Sequence, residues 1–153
     1  MSEKACCVTG HRDIPADKVD YVKSKLKEEI EKAIADGFTM FISGFAEGVD
    51  LLFAELVLEQ KAQHPDLFLE AAIPYNNRLK STDPLFRKCL EGCNGIKVQQ
   101  EEYSQDCFMN RNRYMVALSS RVIAVYDGRD KGGTLSTMRY AHTMEREVRE
   151  IRI

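Results

Sequence analysis

Three stretches of this chain set flexible backbone beside charge, the combination that grips a phosphate. They are Thr9-Gly10-His11-Arg12, the run Ser43-Gly44-Phe45-Ala46-Glu47-Gly48-Val49-Asp50, and Asp127 through Gly132-Gly133-Thr134. Gly44 and Gly48 permit close backbone approach and unusual dihedrals, and Gly132-Gly133-Thr134 offers amides where a helix would begin, an end whose partial positive charge favours an anion. Arg12 follows a buried apolar run directly, so it either meets a phosphate or pairs with a surface carboxylate. Glu47 and Asp50 are the carboxylates within reach of ribose hydroxyls; Asp50 has the alternative of bonding amides in its helix's first turn, and Glu47 is the slightly better candidate. His11 reads as a proton donor or as a satisfied loop histidine. Tyr75, after Pro74, reads as a base-stacking ring or an apolar plug. Thr134 reads as a helix cap that also meets phosphate if one is bound.

These residues need a scaffold, and the hydrophobic periods supply one. Apolar runs at 5–9, 39–43, 67–73, 96–99 and 122–126 read as strands, with an alternating edge strand at 149–153. Helical spacing covers 18–36, 48–63, 84–90, 106–119 and 134–146, with Asp17 expected to cap the first helix and Gly37 to end it. Strands alternating with helices imply right-handed crossovers and a mostly parallel sheet with helices on both faces. The expected fold is therefore α/β, a single Rossmann-like domain over residues 1–153. In such a sheet the ligand lies beyond the carboxyl ends of the strands, where the loops after the first, second, third and fifth strands converge.

Composition narrows the function classes. A chain of 153 residues with 44% hydrophobic and 30% charged residues suits one soluble core, not a membrane protein. Lys and Arg number 22 against 24 Asp and Glu, a net charge of −2 that provides no global field for a nucleic acid. The five cysteines, Cys6, Cys7, Cys89, Cys93 and Cys107, are odd in number, and the opening Met1 to Lys4 is short and polar, so free thiols in a reducing cytoplasm are expected. Cys89 and Cys93 stand one helical turn apart, but no histidine pair at ligand spacing completes a zinc site, and no metal is expected. The dinucleotide fingerprint G-x-G-x-x-G and the phosphate loop G-x-x-x-x-G-K-[ST] are both absent, which disfavours a nicotinamide dehydrogenase and a P-loop nucleotidase.

Four motifs occur in order: Cys7-Val8-Thr9-Gly10-His11-Arg12, Ser43-Gly44-x-Ala46-x-Gly48-x-Asp50, Arg111-Asn112-x-x-Met115-Val116, and Asp127-Gly128-x-x-x-Gly132-Gly133-Thr134. Together they resemble the SLOG superfamily of Smf/DprA and LOG proteins, and most of all its YpsA-type branch. The resemblance implies a Rossmann-like domain, usually oligomeric, that binds a nucleotide or ADP-ribose-like ligand at the glycine loops; it adds Arg111 and Asn112 to the ligand-binding residues. LOG enzymes release a base from a nucleoside monophosphate through the glutamate of P-G-G-x-G-T-x-x-E, and this chain has Thr137 there. Asp127, Glu47 or Asp50 would have to substitute for that carboxylate. The expectation is thus a binding or sensing domain for a phosphorylated small molecule, with a LOG-like hydrolase as the alternative. Single-stranded DNA, which Smf/DprA proteins bind, comes third, because the sequence displays no stacking platform interleaved with basic residues.

Overall fold

The computed structural model describes residues 4–153. Most of the polar opening at 1–4 lies outside the described residues. Six strands form one sheet: β1 (Lys4–Gly10), β2 (Phe38–Ser43), β3 (Phe68–Ile73), β4 (Gly95–Val98), β5 (Arg121–Tyr126) and β6 (Glu147–Arg152). Their order is β4-β3-β2-β1-β5-β6, and all five pairings are parallel. The expected Rossmann-like α/β architecture is present, with no antiparallel strand among the described residues. The alternating tail is an edge strand and begins two residues earlier than its pattern suggests, since Glu147 pairs with Arg121.

Each strand sends alternate residues to opposite faces, and both faces are apolar where the sheet is covered. Cys6 and Val8 of β1 and Ile123 and Val125 of β5 join a core with α1 (Val19–Ala35), α2 (Val49–Lys61) and α3 (Pro84–Gly92). Ala5, Cys7 and Val122 face α4 (Cys107–Leu118) and α5 (Gly133–Thr143), through Met115, Val116 and Ala141. The five cysteines are free thiols, four of them buried, and burial pushes the Cys7 thiol up to about 12 and the Cys89 thiol up to about 11. Among the described residues, no helix is long and apolar enough to cross a membrane.

Two helix starts differ from expectation. Asp17 does not cap α1: it sits in a 3-10 turn, Ala16–Lys18, and Lys18 precedes the helix without a side-chain cap. Thr134 does not cap α5 either. Gly132, at φ +113°, takes the cap position and Thr134 lies one residue inside the helix. A glycine cap has no side-chain oxygen to offer, so the first amides of α5 are left for another acceptor.

The sheet order fixes where a ligand can sit. β1 runs on through β2, β3 and β4 to one edge, and the chain then crosses back to place β5 on the other side of β1. The β1 and β5 loops therefore part company at their carboxyl ends, opening a crevice.

Candidate functional site

That crevice is a cleft of about 480 Å³. Its walls include Thr9, Gly10, His11 and Arg12 from the end of β1, Ala46 and Asp50 from the glycine loop, Arg111 and Asn112 from α4, and Gly133 and Thr134 from α5. Val8, Phe108, Asp13 and Arg129 complete the lining. The approach of α2 to β1 is what brings Asp50 here: a Cβ on Gly10 would lie 2.5 Å from Val49 Cγ1, so only glycine lets the two elements close. Ser43 holds the other end of the loop, donating to Asp50 O at 2.8 Å and accepting from Phe45 N at 3.2 Å. Between them Phe45 takes a left-handed φ of +57° and is buried edge-on against Phe86. Such a backbone costs on the order of 1–3 kcal/mol, offset here by burying a large ring.

Two opposite charges are buried on either side of Gly44. Arg111, only 4% exposed, donates from Nη1 to Gly44 O at 2.6 Å and to Ala72 O at 3.4 Å, and from Nε to Asn112 Oδ1 at 2.8 Å. Asp50 Oδ2 accepts from Ala46 N at 3.3 Å. A Cβ on Gly44 would stand 2.7 Å from Arg111 Cζ and 2.8 Å from Asp50 Oδ2, so the residue must be glycine for both groups to fit. Burial pushes the Asp50 carboxyl up to about 6, against the opposing pull of Arg111, the Ala46 amide and Arg12. Burial likewise draws the Arg111 guanidinium down from its ordinary value, with Asp50 opposing it and Arg12 and Arg78 adding to it. Arg12 and Arg78 form no ion pair with any carboxylate among the described residues. Positive charge therefore outweighs negative on this side of the cleft.

The opposite side is a hydrogen-bonded clasp. Asp127 N–H donates to His11 Nε2 at 3.2 Å, which leaves the ring proton on Nδ1, 3.4 Å from Thr134 Oγ1. Burial lowers the His11 pKa, outweighing the carboxylate of Asp127 at 3.2 Å, so the ring is neutral near pH 7. Asp127 is itself claimed by Arg129, whose Nε lies 3.0 Å from both carboxylate oxygens and whose Nη2 is 2.6 Å from Oδ2. Those bonds hold its carboxyl well below the usual range. Next to the clasp, Gly133 faces open space: nothing lies within 4 Å of where its Cβ would be. Among the described residues no group of three or more His, Cys, Asp or Glu side chains could hold a metal ion.

The family model YpsA, described as the YspA SLOG family, matches residues 6–152. The chain belongs to that family. A UPF0398 protein of Ligilactobacillus salivarius is 25% identical over 141 residues, covering 83% of this chain and 76% of its own length. The SPbeta prophage-derived protein YoqJ of Bacillus subtilis is 30% identical over 139 residues, 78% of this chain and 80% of YoqJ. Among solved structures, DNA processing protein A from Helicobacter pylori, described for its single-stranded DNA binding mode, superposes with a TM-score of 0.69 at 22% identity. The match covers 96% of this chain but 64% of that protein, so the chain spans less than two thirds of it. The structure of TM1055 superposes with a TM-score of 0.60 at 15% identity, covering 95% of this chain and 72% of that one. Both likenesses are likenesses of fold.

Placed on this SLOG domain, the four motifs divide. Thr9, Gly10, His11, Arg12, Asp50, Arg111, Asn112, Gly133 and Thr134 all reach the cleft. Ser43 and Gly44 act behind it, as supports for Asp50 and Arg111, and Gly48 packs on the β1 loop, where a Cβ would lie 2.6 Å from His11 O. Their glycines make room for protein atoms where close approach to a phosphate was expected. Glu47 is exposed and lines a neighbouring depression with Ile14, Leu52 and Leu85, so Asp50 is the loop carboxylate in the cleft. Asp127 meets the site through His11 and Arg129, and Gly132 through its cap geometry. Tyr75 is half-buried and stacks edge-on with Tyr103 and Phe108, outside the cleft lining.

Sequence reasoning missed Phe108, Arg129 and the aromatic group around Tyr75. The guanidinium of Arg12 lies 5.2 Å from the Phe108 ring centroid and that of Arg111 lies 6.0 Å from it. The available signal was the position of Phe108 one turn ahead of Arg111-Asn112, on the helical face that those residues share.

Proposed function

We propose that this SLOG domain binds and senses a nucleotide-derived phosphorylated ligand, a nucleotide or an ADP-ribose-like molecule, in the cleft between the β1 and β5 loops. One observation carries the reading: the uncapped amino end of α5, open at Gly133, faces the same cleft as Arg12 and the buried Arg111. Free first-turn amides and the helix dipole favour an anion, by about 0.3–1 kcal/mol at the surface and up to about 2 when partly buried. Arg111 adds a guanidinium already fixed by the Gly44 and Ala72 carbonyls, so little side-chain entropy remains to be lost on binding. Asp50 supplies the acceptor for ribose hydroxyls. The reading includes a homo-oligomer, as the family resemblance implies, in the cytoplasm, as the unpaired cysteines suggest, and light scattering after gel filtration checks the assembly.

The experiment is a thermal-shift and calorimetric screen of mononucleotides, NAD and ADP-ribose. A true ligand raises stability with concentration, by about 2.7 kcal/mol at a hundred times its Kd. No saturable binder in that set would sink the proposal.

A second reading, single-stranded DNA binding, is favoured by one feature: the adjacent rings of Phe108 and Tyr75 are flanked by Arg12, over Phe108, and by Arg78, which lines a depression with Tyr75, and DNA processing protein A shares the fold. With Arg12, Arg78 and Arg111 as phosphate contacts, affinity for a single strand should fall about 20-fold between 50 and 200 mM salt. Tight binding that resists salt would place DNA ahead of the small molecule.

A further inference from the structure

Tyr103 lies on the segment between β4 and α4 and is the most exposed large hydrophobic side chain among the described residues, at 62%. It is held in place even so. Its ring meets Tyr75 at 5.6 Å and 84° and Phe108 at 6.4 Å and 65°, while Tyr75 and Phe108 meet each other at 6.2 Å and 79°. Around it the segment is cross-tied: Gln100 Nε2 donates to Glu102 O at 2.7 Å and to Ser104 Oγ at 2.8 Å, and Ser104 Oγ donates to Asp106 Oδ1 at 2.8 Å. Phe108 also lines the phosphate cleft. The rings therefore run without a break from the cleft wall to an exposed tyrosine fixed on a tied loop, a platform that costs little ordering entropy to use.

Charge around the tyrosine limits what can lie on it. Glu101, Glu102 and Asp106, on the same segment, are all exposed. A neutral planar base is tolerated beside them, whereas a further backbone phosphate would be repelled. We propose that Tyr103, buttressed by Tyr75 and Phe108, is the shelf on which the base of a mononucleotide-sized ligand stacks while its phosphate occupies the cleft. The shelf rests on the reading proposed above, and it makes that ligand a base-bearing one in preference to a sugar phosphate. Stacking is tolerant of base identity, so purine and pyrimidine nucleotides share the gain.

The test is calorimetric titration of AMP, UMP and ribose 5-phosphate into the wild-type chain, Tyr103→Ala and Tyr103→Phe, with a ten-nucleotide single strand as a further ligand. Tyr103 is exposed, so neither substitution threatens the core. AMP and UMP should bind the wild type about 5- to 150-fold more tightly than ribose 5-phosphate, the range for one stacked base. Tyr103→Ala should remove most of that advantage and leave ribose 5-phosphate unchanged, and Tyr103→Phe should restore it. Equal affinity of AMP and ribose 5-phosphate, or a silent Tyr103→Ala, overturns the shelf and leaves the phosphate cleft standing. If none of the three small ligands binds while ADP-ribose or NAD does, the shelf for a mononucleotide-sized ligand falls and the functional reading stands; if those fail as well, both fall. A strand that binds more tightly than AMP and loses more from Tyr103→Ala overturns the size limit.

Discussion

Replacing Asp50 by asparagine should make the protein more stable at neutral pH. In the unfolded chain the carboxyl titrates near its ordinary value of about 3.9, whereas in the folded protein burial moves it to about 6. Between those values the native state retains a proton that the unfolded state releases, so this group's contribution to stability is greatest below pH 4 and is lost as pH rises through 6. At 1.36 kcal/mol per unit, the ionised carboxylate costs the fold about 3 kcal/mol at pH 7, net of its attraction to Arg111. Asparagine is neutral throughout and its oxygen can still accept the Ala46 amide. Urea unfolding of both proteins from pH 4 to pH 8 is the assay. The asparagine variant should gain on the wild type from near zero at pH 4 to about 3 kcal/mol above pH 6. Asp36 and Asp127, whose carboxyls are held low by Arg121 and Arg129, lose their contributions at lower pH in both proteins and cancel in the difference. Parallel curves, or a less stable variant at pH 7, would refute the idea that a carboxylate is kept buried in this cleft at a cost in stability.

Gly44→Ala should destabilise by about 1–3 kcal/mol in denaturant unfolding, because its methyl would fall 2.7 Å from Arg111 Cζ; an unchanged midpoint would mean that the pair has room to spare. His11→Ala should cost about 1–3 kcal/mol and speed amide exchange at Asp127, whose N–H then loses its acceptor. Release of free base from AMP, GMP and CMP should be slow or undetectable by chromatography: Thr137 occupies the glutamate position of the LOG signature and is buried, with its hydroxyl donating to Gly133 O at 2.8 Å. Robust turnover that disappears in Glu47→Gln or Asp50→Asn would promote the hydrolase, since general acid–base help is worth about 10²–10⁴-fold.

The scaffold was legible because its signals are local. Val122 to Tyr126 is an unbroken apolar run and is buried along its length as β5, and Gly37 stops α1 with a φ of +94°. The convergence of the loops on one rim followed from parallel topology alone. Which loop side chains turn inward did not, because that depends on the phase of α2, set by the contact of Val49 with Gly10 across 39 residues of sequence. The sequence favours Glu47 only slightly over Asp50, and the structure places Asp50 in the cleft and Glu47 in the neighbouring depression. Arg111 enters the candidate site through the family resemblance alone, and its burial is visible only when the carbonyls of Gly44 and Ala72 are brought to it. The sequence displays no stacking platform for a similar reason: Tyr75, Tyr103 and Phe108 are dispersed along it and meet only when β3, the β4–α4 segment and α4 come together.

The central claim, that a phosphorylated nucleotide sits with its phosphate on the amino end of α5, is tested most directly at Gly133. Its Cβ position is free of protein contacts, so Gly133→Val should leave the unfolding midpoint nearly unchanged while its side chain fills the space a phosphate needs. Calorimetric titration of the tightest nucleotide from the screen should give saturable binding to the wild type and none to the valine variant. Unchanged affinity in a fully folded Gly133→Val protein would contradict the account and place the ligand elsewhere on the molecule.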